Sequence, residues 1–214
     1  MTEHNMDYTN PNLHYSYDME QSRFFTKNQH NYVNVLGKEQ MQTMGNVFLL
    51  DVFLSSGNIV EPHYHLNASE LIYCITGETI VSMINPSTNE LNNIRIQPQQ
   101  VVTIPQGWWH YFAANKDNTH VLTIYDISEL NTVWGSDVLR LTPPQVFAHT
   151  YCLDKEQIQQ ALQPIRDTVI IGPPADCNQR RGSYSNKQAY YQPYYHPSVP
   201  YYYTSQMQPP YNQP

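Results

Sequence analysis

Cationic side chains are scarce in this chain. Eleven Lys and Arg stand against eighteen Asp and Glu in 214 residues, a formal net charge of −7 and a pI near 5.6. That balance excludes nucleic acid and an anionic membrane surface as main partners. No apolar run is long enough to span a bilayer. The first twenty residues, Met1 to Glu20, are polar and acidic and lack a basic region followed by an apolar core, so no signal peptide is expected and synthesis is expected to be cytoplasmic. Cysteine is sparse as well: Cys74, Cys152 and Cys177 are odd in number and form no close pair, which favours a reducing compartment, with Cys74 read as a core thiol. Phosphate loops, dinucleotide fingerprints and a supported Ser-His-Asp arrangement are also missing.

What is present is a series of short β-type runs. They cover Tyr32 to Leu36, Asn46 to Leu54, Val60 to His65, Glu70 to Thr76, Thr79 to Ile84, Asn92 to Ile96, Val101 to Ile104, His110 to Ala114 and His120 to Tyr125. Turns such as Ser55-Ser56-Gly57-Asn58 separate them, the pattern of an all-β barrel or sandwich. The periodicity then changes. Thr142-Pro143-Pro144-Gln145 opens a short helix through Phe147 and His149, and Asp154 opens a second that runs to about Leu162. The resulting organisation is a flexible arm or extended strap over 1–28, a barrel over 29–141, a helical extension over 142–174 and a disordered tail over 175–214.

Within the barrel region two segments carry chemistry. The first reads Gly57, five residues, His63-Tyr64-His65, four residues, Glu70, six residues, Gly77; the second reads Pro105-Gln106-Gly107-Trp108-Trp109-His110. Alternate residues of a strand share a face, so His63 and His65 can chelate one ion together. A short polar turn at Asn67-Ala68-Ser69 lets Glu70 return beside them on an antiparallel strand, and His110 completes the set from further along the chain. Three imidazoles and a carboxylate suit manganese, iron, zinc, nickel or copper, with positions left for water or substrate. His4, His14, His30, His120, His149 and His196 have no such pattern and read as packed or surface residues.

These two segments resemble the two motifs of the cupin superfamily. Pro62-His63-Tyr64-His65-Leu66-Asn67-Ala68-Ser69-Glu70-Leu71 is most similar to germins and to germin-like or oxalate decarboxylase-like cupins. The second motif departs in two places: Gln99 stands where the family usually has glycine, and Asn115 lies one residue later than the usual asparagine. The resemblance covers roughly residues 30 to 170. It implies a cupin double-stranded β-helix, a jelly-roll barrel, holding one divalent ion, manganese first, and acting on a small carboxylate such as oxalate or on an oxygen species such as superoxide. The decarboxylases of this group carry an arginine three residues before the first histidine, and here that position is Val60. Glu61 shares strand parity with His63 and could carry a proton, unless the bend at Pro62 turns it outward. Phe112 shares parity with His110 and reads as apolar pocket wall, whereas Trp108 and Trp109 fit either rim or core.

Two features point to assembly. Glu70 to Thr76 carries apolar residues on both faces, as does Val47 to Leu54 around Asp51, which favours a homo-oligomer that covers the outer face. From Asn178 to Pro214 there are nine tyrosines and six prolines, with Val199 the only branched aliphatic. Such a segment cannot bury enough apolar surface to fold alone. Clustered phenols stack and can be oxidatively coupled. By composition the tail resembles those of bacterial spore coat proteins, which implies an alternative role as a structural protein of a coat-like layer, linked to other coat proteins through the tail.

Overall fold

The computed structural model describes residues 6–177. The tyrosine-rich tail from Asn178 onward lies outside the described residues, as do His4 and His196. Among the described residues the fold is mostly β. The strands are β1 Arg23–Asn28, β2 Asn31–Leu36, β3 Phe48–Leu54, β4 Ile59–His65, β5 Glu70–Thr76, β6 Thr79–Asn85, β7 Glu90–Ile96, β8 Val101–Ile104, β9 His110–Ala114, β10 Thr119–Tyr125, β11 Thr132–Trp134 and β12 Ile171–Gly172. Three short helices, α1 Gly135–Leu141, α2 Pro144–Tyr151 and α3 Lys155–Leu162, precede β12. None of them is long and apolar enough to cross a membrane.

One sheet runs β1-β2-β3-β10-β5-β8 and the other β11-β4-β9-β6-β7, with β12 added to β4. All pairings are antiparallel. Alternation along the central strands sends one set of side chains inward: Val121, Thr123 and Tyr125 of β10 are buried, while His120, Leu122 and Ile124 between them are half-buried. Ile72 and Cys74 of β5 meet Val81 of β6 and Val121 in a core where each is fully buried, so Cys74 is the expected core thiol. The outward residues of β5, Leu71 and Tyr73, pair with Ile124 and Leu122 of β10, which makes the outer face of this sheet apolar too.

Tight turns set the register. Gly77, between β5 and β6, has φ +75°, and a Cβ there would lie 2.5 Å from Thr119 Cα. Any side chain would therefore clash with backbone as well as strain the turn. Gln99 also adopts a left-handed conformation, φ 72°, in the turn before β8. The position is one that glycine would occupy with less strain.

β1, β11 and α1 are among the elements with no counterpart in the hydrophobic pattern. The last residues of the segment read as an arm or strap form β1, an edge strand paired on one side to β2, and its polar RFFTKN sequence fits an edge. β11 and α1 follow β10 closely. Gly135 begins α1 where a Cβ would sit 2.6 Å from the Pro62 carbonyl oxygen, so the helix starts at a close approach to β4. Downstream the expected helices appear, α2 with Pro144 in its first turn and α3 capped by Asp154, whose carboxylate accepts from Gln157 N at 2.8 Å.

Candidate metal centre

The pairing of strands brings the four expected ligands to one point. His63 on β4 lies opposite His110 on β9, His65 lies two residues further along β4, and Glu70 opens β5 against Tyr125 of β10 and Ile104 of β8. The ligand atoms of His63, His65, Glu70 and His110 all lie within 4.8 Å of one another, and all four residues are buried. His14, His30, His120 and His149 stand outside this group. His120 instead stacks on Phe53, with ring centroids 4.1 Å apart, and pairs with Asp51.

Hydrogen bonds orient the rings. His63 Nδ1–H donates to the Glu61 carbonyl oxygen at 2.6 Å, and His110 Nδ1–H donates to the Trp108 carbonyl oxygen at 2.8 Å. His65 Nδ1 meets the Thr132 hydroxyl at 3.0 Å. With the proton held on Nδ1 of His63 and His110, their Nε2 atoms present lone pairs to the centre, the tautomer of a metal ligand, and the Thr132 hydroxyl can accept from His65 in the same tautomer. Opposite them, Glu70 Oε2 lies 2.8 Å from His110 Nε2 and 3.2 Å from His65 Nε2. The His110 atom is fully buried yet makes no hydrogen bond. A lone pair on His110 Nε2 facing a carboxylate oxygen repels it unless a cation sits between them, so the donor set fits a divalent ion.

The electrostatics agree with ligand roles. Burial pushes the His63 pKa well below its ordinary value and His110 adds to this, with Glu70 opposing, so His63 is neutral at physiological pH. Burial pushes Glu70 up, but hydrogen bonds and positive charge from the His110 and His65 rings, which a proton on Nε2 supplies where no cation does, outweigh it and hold the carboxyl well below the usual range. The other carboxylate oxygen, Oε1, accepts from the Tyr125 hydroxyl at 3.0 Å, and that hydroxyl accepts in turn from Thr123 Oγ1 at 3.0 Å. Burial first and Glu70 second raise the Tyr125 pKa well above the ordinary phenol value, so Tyr125 stays a donor.

Above the ligands lies a cavity of about 330 Å³, with His63, His65 and Tyr125 on its wall. Val60 is in the wall, and Phe112 serves as apolar wall as its parity predicts. Trp134 joins them, its ring centroid 4.8 Å from that of His63. Among the described residues that line the cavity there is no Lys, Arg, Asp or Glu.

Glu61 does not carry protons at this site. A bulge between Val60 and His63 interrupts the β4–β9 register, and the Glu61 carboxylate turns away toward the C-terminal segment. There it accepts from Ser136 N at 2.7 Å, Ser136 Oγ at 2.9 Å, Val169 N at 3.0 Å and Ile170 N at 2.8 Å. Its role is to tie α1 and the strand-forming segment before β12 to the barrel. Trp108 packs partly buried against the core, and Trp109 lies outside the centre against Tyr64 and Gly135.

Tyr125, Thr132 and Trp134 were not legible as site residues. Tyr125 ends an ordinary alternating strand, and only its inward parity with Val121 and Thr123 hinted at the interior. Thr132 and Trp134 sit on β11, whose pairing to His65 and His63 no sequence periodicity announces.

The family model described as Cupin matches residues 19–159. Curated relatives include conglutin alpha 1 of Lupinus angustifolius, 27% identical over 116 residues, which are 53% of this chain and 23% of that protein. Legumin B of Pisum sativum is 27% identical over 51% of this chain and 32% of its own length. The chain thus spans about a quarter to a third of the length of these relatives. Among solved structures, Bacillus subtilis oxalate decarboxylase superposes with a TM-score of 0.65 at 19% identity, over 75% of this chain and 43% of that one. The coconut allergen cocosin superposes with a TM-score of 0.65 at 20% identity, over 73% and 42%. The two antiparallel sheets, the family match over well more than half of the chain and the ligand spacing agree: this protein belongs to the cupin family.

Proposed function

We propose that the chain is a metal-dependent cupin enzyme that uses one divalent ion, manganese first, held by His63, His65, Glu70 and His110. The observation that carries this reading is the set of Nε2 atoms, each freed by a contact at Nδ1 and converging on Glu70 Oε2. Manganese is favoured because a solved structural neighbour is the B. subtilis oxalate decarboxylase with Mn(II) centres, at a TM-score of 0.61 and 21% identity. When bound, such an ion polarises a ligated oxygen or exchanges an electron with an oxygen species. The chain's own residues hold the ligand rings in one tautomer, keep Glu70 ionised and surround the site with apolar walls that limit water.

Of the two substrate types that the sequence suggests, an oxygen species fits this cavity better than a small dicarboxylate. Val60 occupies the place of the anchoring arginine, and among the described residues no other lining residue is a Lys or Arg. Metal analysis of the purified, dialysed protein tests the reading, together with turnover of superoxide and of oxalate. About one manganese per chain and loss of that metal in His63→Ala are expected. A protein that retains no stoichiometric metal at neutral pH overturns it.

A second reading is an assembly role in a coat-like layer. It is favoured by the apolar outer face of the β1-β2-β3-β10-β5-β8 sheet, where Leu71, Tyr73, Leu122 and Ile124 adjoin Ile75 and Val101, which are 36% and 52% exposed. A face of this kind suits self-association. Sedimentation of the full chain beside a variant with Tyr73→Lys and Val101→Lys tests it: a monomer in both removes the self-association on which this reading depends.

A further inference from the structure

The cavity's walls say more about its occupant than the ligands do. Val33, Leu50 and Val52 from the β1-β2-β3-β10-β5-β8 sheet face Val60, Phe112 and Trp134 from the other sheet across the space above His63 and His65. Protein interiors are close-packed, so an apolar void of about 330 Å³ beside polar ligand atoms is the size and character of a small-molecule site. Charge narrows the choice. With a divalent ion held by His63, His65, Glu70 and His110, the three imidazoles would be neutral and the one carboxylate would leave one net positive charge. A monoanion brings the centre to neutrality. A dianion would leave a negative charge among apolar walls with no Lys or Arg among the described lining residues, which is costly.

From this we propose that the organic ligand of the site is a mainly apolar, aromatic-sized molecule with a single ionisable oxygen, such as a phenol or an enol, rather than a dicarboxylate. This rests on the metal reading for the oxygen's partner, whereas the apolar part of recognition belongs to the walls alone. Phe24, on the edge strand β1, is 47% exposed and lines the cavity, which places it at the mouth against the body of an entering ligand.

Titration calorimetry with 1-naphthol, naphthalene, oxalate and succinate tests the proposal, on metal-free and manganese-loaded full-length protein. Water-proton relaxation of the loaded form reports displacement of metal-bound water. The loaded protein should bind 1-naphthol at least about tenfold more tightly than oxalate, and the naphthol should lower the relaxation enhancement. Metal-free protein should still bind 1-naphthol and naphthalene, more weakly. Phe24→Ala should weaken 1-naphthol about fivefold with metal content unchanged. Val60→Arg, checked for a retained melting transition, should reverse the preference toward oxalate. Tighter binding of oxalate than of 1-naphthol, or naphthol binding indifferent to Phe24→Ala, overturns the ligand class. A protein that binds the aromatics but never retains manganese defeats the metal reading alone.

Discussion

Glu70 and Glu78 flank the same strand, β5, at opposite ends of the barrel, and both are buried, at 1% and 0% exposure. Their surroundings differ. Glu78 is enclosed by complementary donors: Arg95 Nη2, Gln97 Nε2 at 2.8 Å, Asn115 Nδ2 and, at 3.4 Å, Lys116 Nζ. Glu70 faces the Nε2 atoms of His65 and His110, the latter with its Nδ1 proton committed to the Trp108 carbonyl oxygen, plus one phenol. A buried carboxylate surrounded by donors is a structural tie, whereas one surrounded by other Lewis bases asks for a cation. Glu61, tied to Ser136, Val169 and Ile170, falls on the structural side.

The sharpest way to break this comparison is to neutralise both ends. Glu70→Gln should cost on the order of a hundredfold or more in manganese affinity, read by competition with a chelator, with little loss of thermal stability. Glu78→Gln should do the reverse. Equal metal loss in both variants would remove the distinction. Next in size, Glu61→Ala should lower unfolding free energy by about 3 kcal/mol in denaturant titration, because buried N–H groups lose their acceptor, while metal content is retained. Metal loss in that variant would return Glu61 to the centre.

The pH dependence sharpens the structural side. Burial raises the Glu78 pKa, but hydrogen bonds from Arg95, Gln97 and Asn115 outweigh it and bring the pKa down to about 2, against an ordinary 4.5. The unfolded chain therefore takes up this proton first. Stability from Glu78 is fully present above the ordinary value and is lost as pH falls from about 4.5 toward 2. About 2 kcal/mol of acid sensitivity should disappear in Glu78→Gln, after allowance for the exposure of Arg95. Smaller again, Tyr125→Phe should weaken manganese about tenfold by freeing Glu70 Oε1, with the melting temperature nearly unchanged. Gln99→Gly should stabilise by about 1 kcal/mol by relieving a left-handed residue at a position remote from either carboxylate.

Much of this was legible in the chain. The bounds of β5, β8 and β9 follow from alternating runs closed by turns, and Phe112 follows from parity with His110. The ligands were legible because a strand's two-residue period makes His63 and His65 neighbours whatever surrounds them. Glu61 shows the limit of that rule: it shares their parity, yet a bulge sends its carboxylate out toward α1. β1, β11 and α1 were missed because edge strands and helices begun at a close backbone contact need no hydrophobic period. The departures at Gln99 and Asn115 were seen as letters only. In the structure one is a left-handed turn residue and the other a donor to Glu78.

By itself the sequence determined the strand-rich class, the acidic balance and the four candidate ligands, because these depend on composition and on spacing within two short motifs. Only the tertiary structure decided that Tyr125 supports Glu70, that Glu61 is a tie and that the cavity over the candidate ligands has no Lys or Arg among its described lining residues. Those outcomes depend on strands brought together from distant parts of the chain, where register and bulges, which no local spacing encodes, choose the partner of each buried group.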